Sequence, residues 1–158
     1  MKKVFALLAV MLMTALGPIY AHCQVPCGIY TDDLRFSIMN EHAETLMKSM
    51  KQIVELSKAA KPDMNQIVRW TTTKDSHADD IINICAQYFL CQRIKPAKDA
   101  KNEKEQNAYL NKLELVHKLM ITAMKCKQGT DTKNVDELKK LIHDFSVAYE
   151  GAAHKHKH

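Results

Sequence analysis

Glycine and proline are scarce, with four of each in 158 residues. Turns draw on those residues for their special backbone angles, so this chain has room for few turns and long elements between them. Alternation of apolar and polar residues with period two is missing, and no stretch reads as a strand. No segment repeats. No basic stripe with interleaved aromatics appears, and a formal charge of +5 is too mild to argue for nucleic acid. No Cys-x-x-Cys-His occurs, which disfavours a haem bundle. Hydrophobic residues at 46% and charged residues at 26% are ordinary for a soluble globular protein. The absences leave a single helical domain.

The N-terminus reads as an export signal. Lys2 and Lys3 form a basic start, Val4 to Leu16 is apolar and uncharged, and Gly17-Pro18 breaks the run. Ile19-Tyr20-Ala21 then offers a cleavage site for signal peptidase, although Ile19 is larger than the usual residue there. There is no twin arginine, and His22 does not fit a lipoprotein site. Cleavage after Ala21 leaves 137 residues with a side-chain charge of +3, enough for one domain with a real core. It also predicts a periplasmic or secreted protein without stable membrane association. An uncleaved membrane anchor is the alternative, since apolar character persists for about 18 residues.

Cleavage there makes His22-Cys23-Gln24-Val25-Pro26-Cys27-Gly28-Ile29-Tyr30 the first nine residues of the mature chain. A free amine, an imidazole, an amide nitrogen and a thiolate then lie within two residues, and Cys27 adds a second thiolate. Amine, deprotonated amide and two thiolates make a square-planar N2S2 set, which suits Ni(II) or Cu(II). Zinc prefers a tetrahedron. Pro26 and Gly28 favour a tight hook that brings Cys27 back toward the amine. The competing reading is a disulfide or a generic metal site, the usual meaning of two nearby cysteines in an exported protein.

With His22, Cys23, Pro26, Cys27, Gly28 and Tyr30 in these places, the segment resembles the nickel hook of nickel superoxide dismutases. The resemblance implies that His22 supplies amine and axial imidazole, Cys23 amide and thiolate, and Cys27 the other thiolate, holding one nickel ion per subunit. It implies a cis bond before Pro26, and Tyr30 as the catalytic residue lining the pocket that superoxide enters. It also implies a homohexamer of four-helix bundles. Tyr88-Phe89 resembles a pair in the family whose tyrosine faces the same pocket. A glutamate and an arginine orient the imidazole in that family; Glu41 is the nearest candidate for the first, with Arg69 or Lys74 for the second. Where family members more often carry a short propeptide, this chain has a signal-like segment.

Helical periodicity covers the rest. A first helix starts after Thr31, a candidate cap, with Leu34, Ile38, His42, Leu46, Met50 and Ile53 recurring, and ends near Ala60 before Pro62. A second runs from about Asp63 to Ile94, with a break conceivable near residue 75. A third spans about Ala100 to Lys127 with Gly129 as C-terminal cap, and a fourth about Thr132 to Glu150. Four amphipathic helices with short loops predict an all-α, up-down four-helix bundle over residues 31–151, with the hook at 22–30 before it and a His/Lys-rich tail at 152–158 after it.

Cys85 reads as a buried, apolar-like cysteine, and a Cys91–Cys126 bridge is conceivable in an exported protein. His42, His77, His117 and His143 sit singly and read as packed or surface histidines. The tail His154 to His158 holds nickel loosely or is simply solvated. The functional expectation is superoxide dismutation, with nickel alternating between +2 and +3. The rivals are an exported nickel or copper carrier, and a disulfide-stapled bundle for protein contacts.

Overall fold

Asp63 and Asn102 show why two of the helices begin where they do. Each has an extended backbone, and its side-chain oxygen accepts a hydrogen bond from the N–H three residues on, that of Gln66 and Glu105 respectively. One of the donors that a helix start leaves open is thereby satisfied. The computed structural model describes residues 29–99 and 101–151. Its helices are α1 (Asp32–Ser57), α2 (Met64–Asn83), α3 (Glu103–Gln128) and α4 (Lys133–Glu150), and α2 continues without a gap as a π-helix, Ile84–Arg93. No strand occurs among the described residues, and no helix there is long and apolar enough to cross a membrane.

The helices close a ring: α1 packs on α2 and α4, and α3 packs on the same two. Short connections make sequential neighbours antiparallel. The start of α1 therefore lies beside the end of the π-helix and the end of α4. The core is one cluster contributed by all four helices, including Met39, Leu46, Ile81, Leu119, Leu138 and Ile142. Toward the α1 start it becomes aromatic. Phe36, Phe89, Phe145 and Tyr149 stack with ring centroids 4.8 to 5.9 Å apart. Each such pair contributes about 0.5–1.5 kcal/mol beyond its area, so this end has a stiff floor.

The other end is built differently. No residue of α1 after Met50 is buried, and none of α2 before Lys74. Residues 51–73 thus project past the four-helix core as a helical hairpin, with Val54, Met64 and Val68 exposed. At its root, Lys74 is only 3% exposed. Its Nζ donates to the carbonyls of Cys126 and Lys127 at 3.0 and 2.6 Å, and to Asp75 Oδ1 at 2.7 Å. Those carbonyls belong to the last turn of α3, where no intrahelical donor remains. Lys74 is a cap for a helix it does not belong to. Lys127 returns the contact, with Nζ 2.7 Å from Asp79 Oδ1.

Several sequence expectations need correction. Thr31 precedes α1 but its side chain makes no capping bond; its carbonyl accepts from Arg35 N–H instead. α1 stops at Ser57 rather than Ala60. The second helix does not break near residue 75; it changes winding at Ile84. Gly129 ends α3 with φ −161°, an extended backbone open to any residue, whereas Gly151 after α4 has φ 79°, where a side chain is strained. Cys85, Cys91 and Cys126 are all free. Antiparallel packing of α2 on α3 puts the exposed Cys91 at the α1-start end and the buried Cys126 beside Lys74, so they cannot bridge.

Candidate metal centre

The centre is organised by the π-helix. A π-helix bonds each N–H to the carbonyl five residues back, and such segments are frequent at functional sites. Here Ile94 N–H reaches Phe89 O at 2.8 Å. Side chains follow the same spacing. Gln92 Nε2 donates to Gln87 O at 2.9 Å, and Arg93 Nη2 donates to Tyr88 Oη at 2.8 Å. The widened winding stacks Arg93 on Tyr88 and keeps both facing the start of α1.

Asp32, in the first turn of α1, receives them. Its Oδ1 accepts from Tyr88 Oη at 2.6 Å and its Oδ2 from Tyr149 Oη at 3.0 Å. Arg93 Nε lies 3.1 Å from Oδ1 as an ion pair. One carboxylate thus joins α1, the π-helix and α4. Its place in the first turn also suits the positive end of the helix dipole. Burial and the Asp32 contacts raise Tyr88 and Tyr149 above the ordinary phenol range, with Arg93 opposing in both. Both phenols therefore keep their protons at neutral pH.

The network reaches Tyr30, the last residue of the hook sequence. Tyr88 Oη lies 3.2 Å from Tyr30 O, and Arg93 Nη2 lies 3.4 Å from the same carbonyl. The Tyr30 ring is 6.4 Å from that of Tyr88 and sits 4.1 Å from the Arg35 guanidinium. Cation–π contact of this kind contributes about 0.5–1 kcal/mol where exposed, and Tyr30 is 41% exposed. Tyr30 is thus fastened through both its backbone and its ring. Among the described residues, Arg35 Nε is buried without a hydrogen-bond partner. A donor left open beside Tyr30 suits an anion.

His22, Cys23 and Cys27 lie outside the described residues, as do the cleavage site, the Val25–Pro26 bond and the tail histidines. The structure brings Tyr30 and Tyr88 together. It does not bring Glu41, Arg69 or Lys74 to them. Glu41 and Arg69 are exposed, and Lys74, occupied at α3, stands roughly 20 Å along the helix from Tyr88 at 1.5 Å per residue. The acid and cations that do gather here, Asp32, Arg35 and Arg93, escaped sequence reasoning. The available signal was an acid pair and an arginine within five residues of Tyr30.

The donor set offered by the hook sequence fits nickel. Amine, amide and thiolate ligands make a planar N/S field, and the only described part of that segment, Ile29-Tyr30, ends against two arginines. No curated protein and no solved structure matches the chain. The family model for nickel-containing superoxide dismutase matches residues 18–153, a span that takes in the hook sequence and all four helices. The chain therefore belongs to the nickel-containing superoxide dismutase family: an oxidoreductase with nickel as cofactor and superoxide as substrate.

Proposed function

We propose that the mature chain begins at His22, after export and removal of residues 1–21 by signal peptidase, and that dismutation takes place at this new N-terminus. His22 binds nickel through its amine and imidazole, Cys23 through its amide and thiolate, and Cys27 through its thiolate, one ion per subunit. Bound there, nickel would supply the one-electron chemistry between +2 and +3 that turns two superoxide anions and two protons into dioxygen and hydrogen peroxide. The observation that carries the reading is the continuity of the hook sequence with Tyr30, which is fastened at the mouth of the bundle by Arg35, Tyr88 and Arg93.

The chain's own residues then have distinct tasks. Arg35 and Arg93 present positive charge beside Tyr30, the last residue of the hook sequence, which raises the local concentration of a small anion. Tyr30, partly exposed, lines the approach and stands between solvent and the hook as a proton donor. Tyr88 holds its proton toward Asp32 Oδ1 and accepts from Arg93 Nη2, so it acts by positioning Arg93, which donates to the Tyr30 carbonyl. Asp32 fixes Tyr88, Arg93 and Tyr149 at once. A homohexamer in the periplasm or outside the cell completes the proposal; the exposed Val54, Met64 and Val68 are apolar surface available to neighbouring subunits.

The test is positional. One residue added before His22 displaces the amine and leaves every side chain in place, so nickel-dependent turnover is expected to vanish while the helical content stays. Normal turnover in that variant overturns the N-terminal site. Native mass spectrometry of protein from its own host is expected to show a chain beginning at His22 with one nickel per subunit.

A further inference from the structure

His42 and His77 stand alone in the sequence, yet the packing of α1 on α2 brings their Nδ1 atoms to 2.7 Å. The rings meet at 64° with centroids 4.8 Å apart. Asp80, one turn beyond His77, has Oδ2 4.0 Å from His42 Nδ1. The three ligand atoms all lie within 4.8 Å of one another. Two nitrogen lone pairs cannot face each other at such a distance. The arrangement is satisfied by a hydrogen on one ring donated to the other, or, once the rings part, by a metal ion bound by both.

The placement of Asp80 beside the pair offers more than a proton bridge. His77-x-x-Asp80 sets a nitrogen and an oxygen donor on one face of α2, and His42 faces them from α1. Bundle metal sites are assembled in this way, from i, i+3 ligand pairs on one helix and a ligand on its neighbour. We infer that His42 Nδ1, His77 Nδ1 and Asp80 Oδ2 form a second metal site, for a divalent transition ion of the zinc type, with water in the fourth position.

The geometric demand is small. Zinc–nitrogen bonds of about 2.0–2.1 Å in a tetrahedron hold two nitrogens about 3.3 Å apart. The rings must part by about 0.6 Å, and Asp80 must close on His42 by about 0.7 Å, relative to that spacing. The Asp80 side chain is 48% exposed and free to swing, and that of His42 is 17% exposed. Ions therefore enter from the Asp80 side. The donor set contains no sulfur, so it selects differently from the hook. It also lies ten residues along α1 from Asp32, about 15 Å at 1.5 Å per residue. An ion here braces α1 against α2, the pair that carries Asp32 on one side and Tyr88 and Arg93 on the other.

The test uses the mature chain with the other metal-binding candidates weakened by His22→Ala, Cys23→Ser, Cys27→Ser, His154→Ser, His156→Ser and His158→Ser. Titration with zinc, followed by calorimetry and native mass spectrometry, is expected to give one ion per subunit and a higher melting temperature. Adding His77→Gln is expected to abolish both. No zinc bound to the background protein, or the same stoichiometry and affinity after His77→Gln, overturns the site. Should His77→Gln lose its helical circular dichroism, Asp80→Asn on the half-exposed ligand replaces it. Affinity lowered about tenfold or more is then expected, as for weakened metal coordination, and unchanged affinity overturns the site.

Discussion

Replacing Lys74 by methionine separates the two ends of the bundle. The Lys74 ammonium has three protons, and all are used: on Cys126 O, Lys127 O and Asp75 Oδ1. Asp75 is 41% exposed and can rehydrate after the change. The two carbonyls cannot be removed by any side-chain substitution, and Lys74 itself is 3% exposed, so little water can take its place. Hydrogen bonds to a charged group contribute about 1.5–3 kcal/mol each. Methionine retains the packing of the stem and recovers some apolar burial. The net loss for Lys74→Met is about 3–5 kcal/mol, in the range for breaking a buried charged contact. For a chain of this size each kcal/mol is worth about 3–5 °C, so the melting temperature falls by roughly 10–20 °C. Urea unfolding of the mature protein followed by circular dichroism, at fixed protein concentration, measures it. Dismutase activity per folded subunit stays at the wild-type level, because Lys74 is far from Tyr88. A stability change below about 1 kcal/mol refutes the capping role. A normal fold with activity lost instead returns Lys74 to the metal-orienting part suggested by family resemblance.

Three further outcomes concern the site and the thiols. Asp32→Asn leaves two phenol donors and Arg93 facing an amide, so the unfolding free energy drops by about 1–3 kcal/mol and activity falls as Tyr30 loosens; unchanged values in both assays dismiss Asp32 as the hub. Burial pushes the Cys85 thiol up to about 12 and the Cys126 thiol to about 11, Lys74 slightly offsetting the second. Unfolding releases those protons above the ordinary thiol value of 9.0, so stability is complete below that pH and declines as pH rises toward 11 and 12. The slope is up to about 1.4 kcal/mol per pH unit for each thiol, and Cys85→Ala flattens it in urea titrations run at several pH values. At neutral pH a thiol reagent modifies the exposed Cys91, while Cys85 and Cys126 react only on unfolding.

Helix number, type and order were legible because apolar periodicity survives along whole segments. Choice of face was less so. A strict step of four through Leu34, Ile38, His42, Leu46 and Met50 drifts around a 3.6-residue helix, and Leu34 proves 48% exposed. The buried stripe steps by three and four, through Phe36, Met39, Ala43, Leu46 and Met50. α4 was read correctly through Val135, Leu138, Leu141, Ile142 and Phe145, because its apolar residues already alternate in that way. The π-helix left no mark, since hydrogen-bond register is not written in apolar spacing. Asp32, Arg93 and Tyr149 could not be joined from sequence because their meeting depends on three helices arriving at one end. The same holds for His42 and His77, single histidines until α1 and α2 pack. The hook motif stood out in the sequence because its six fixed positions, His22, Cys23, Pro26, Cys27, Gly28 and Tyr30, fall within nine residues.

The π-helix has a consequence for how this chain tolerates insertions and deletions. Residues five apart are turned about 140° from each other on an α-helix. On the π-helix, Tyr88 and Arg93 touch. Removing one residue between them allows ordinary winding with the pair four apart, about 40° from each other and still on one face, whereas adding one swings Arg93 off Tyr88, off Asp32 and off the Tyr30 carbonyl together. Point substitutions at exposed positions of Ile84–Arg93 leave that spacing alone. In this segment an added residue therefore costs more than a change in the identity of a surface residue.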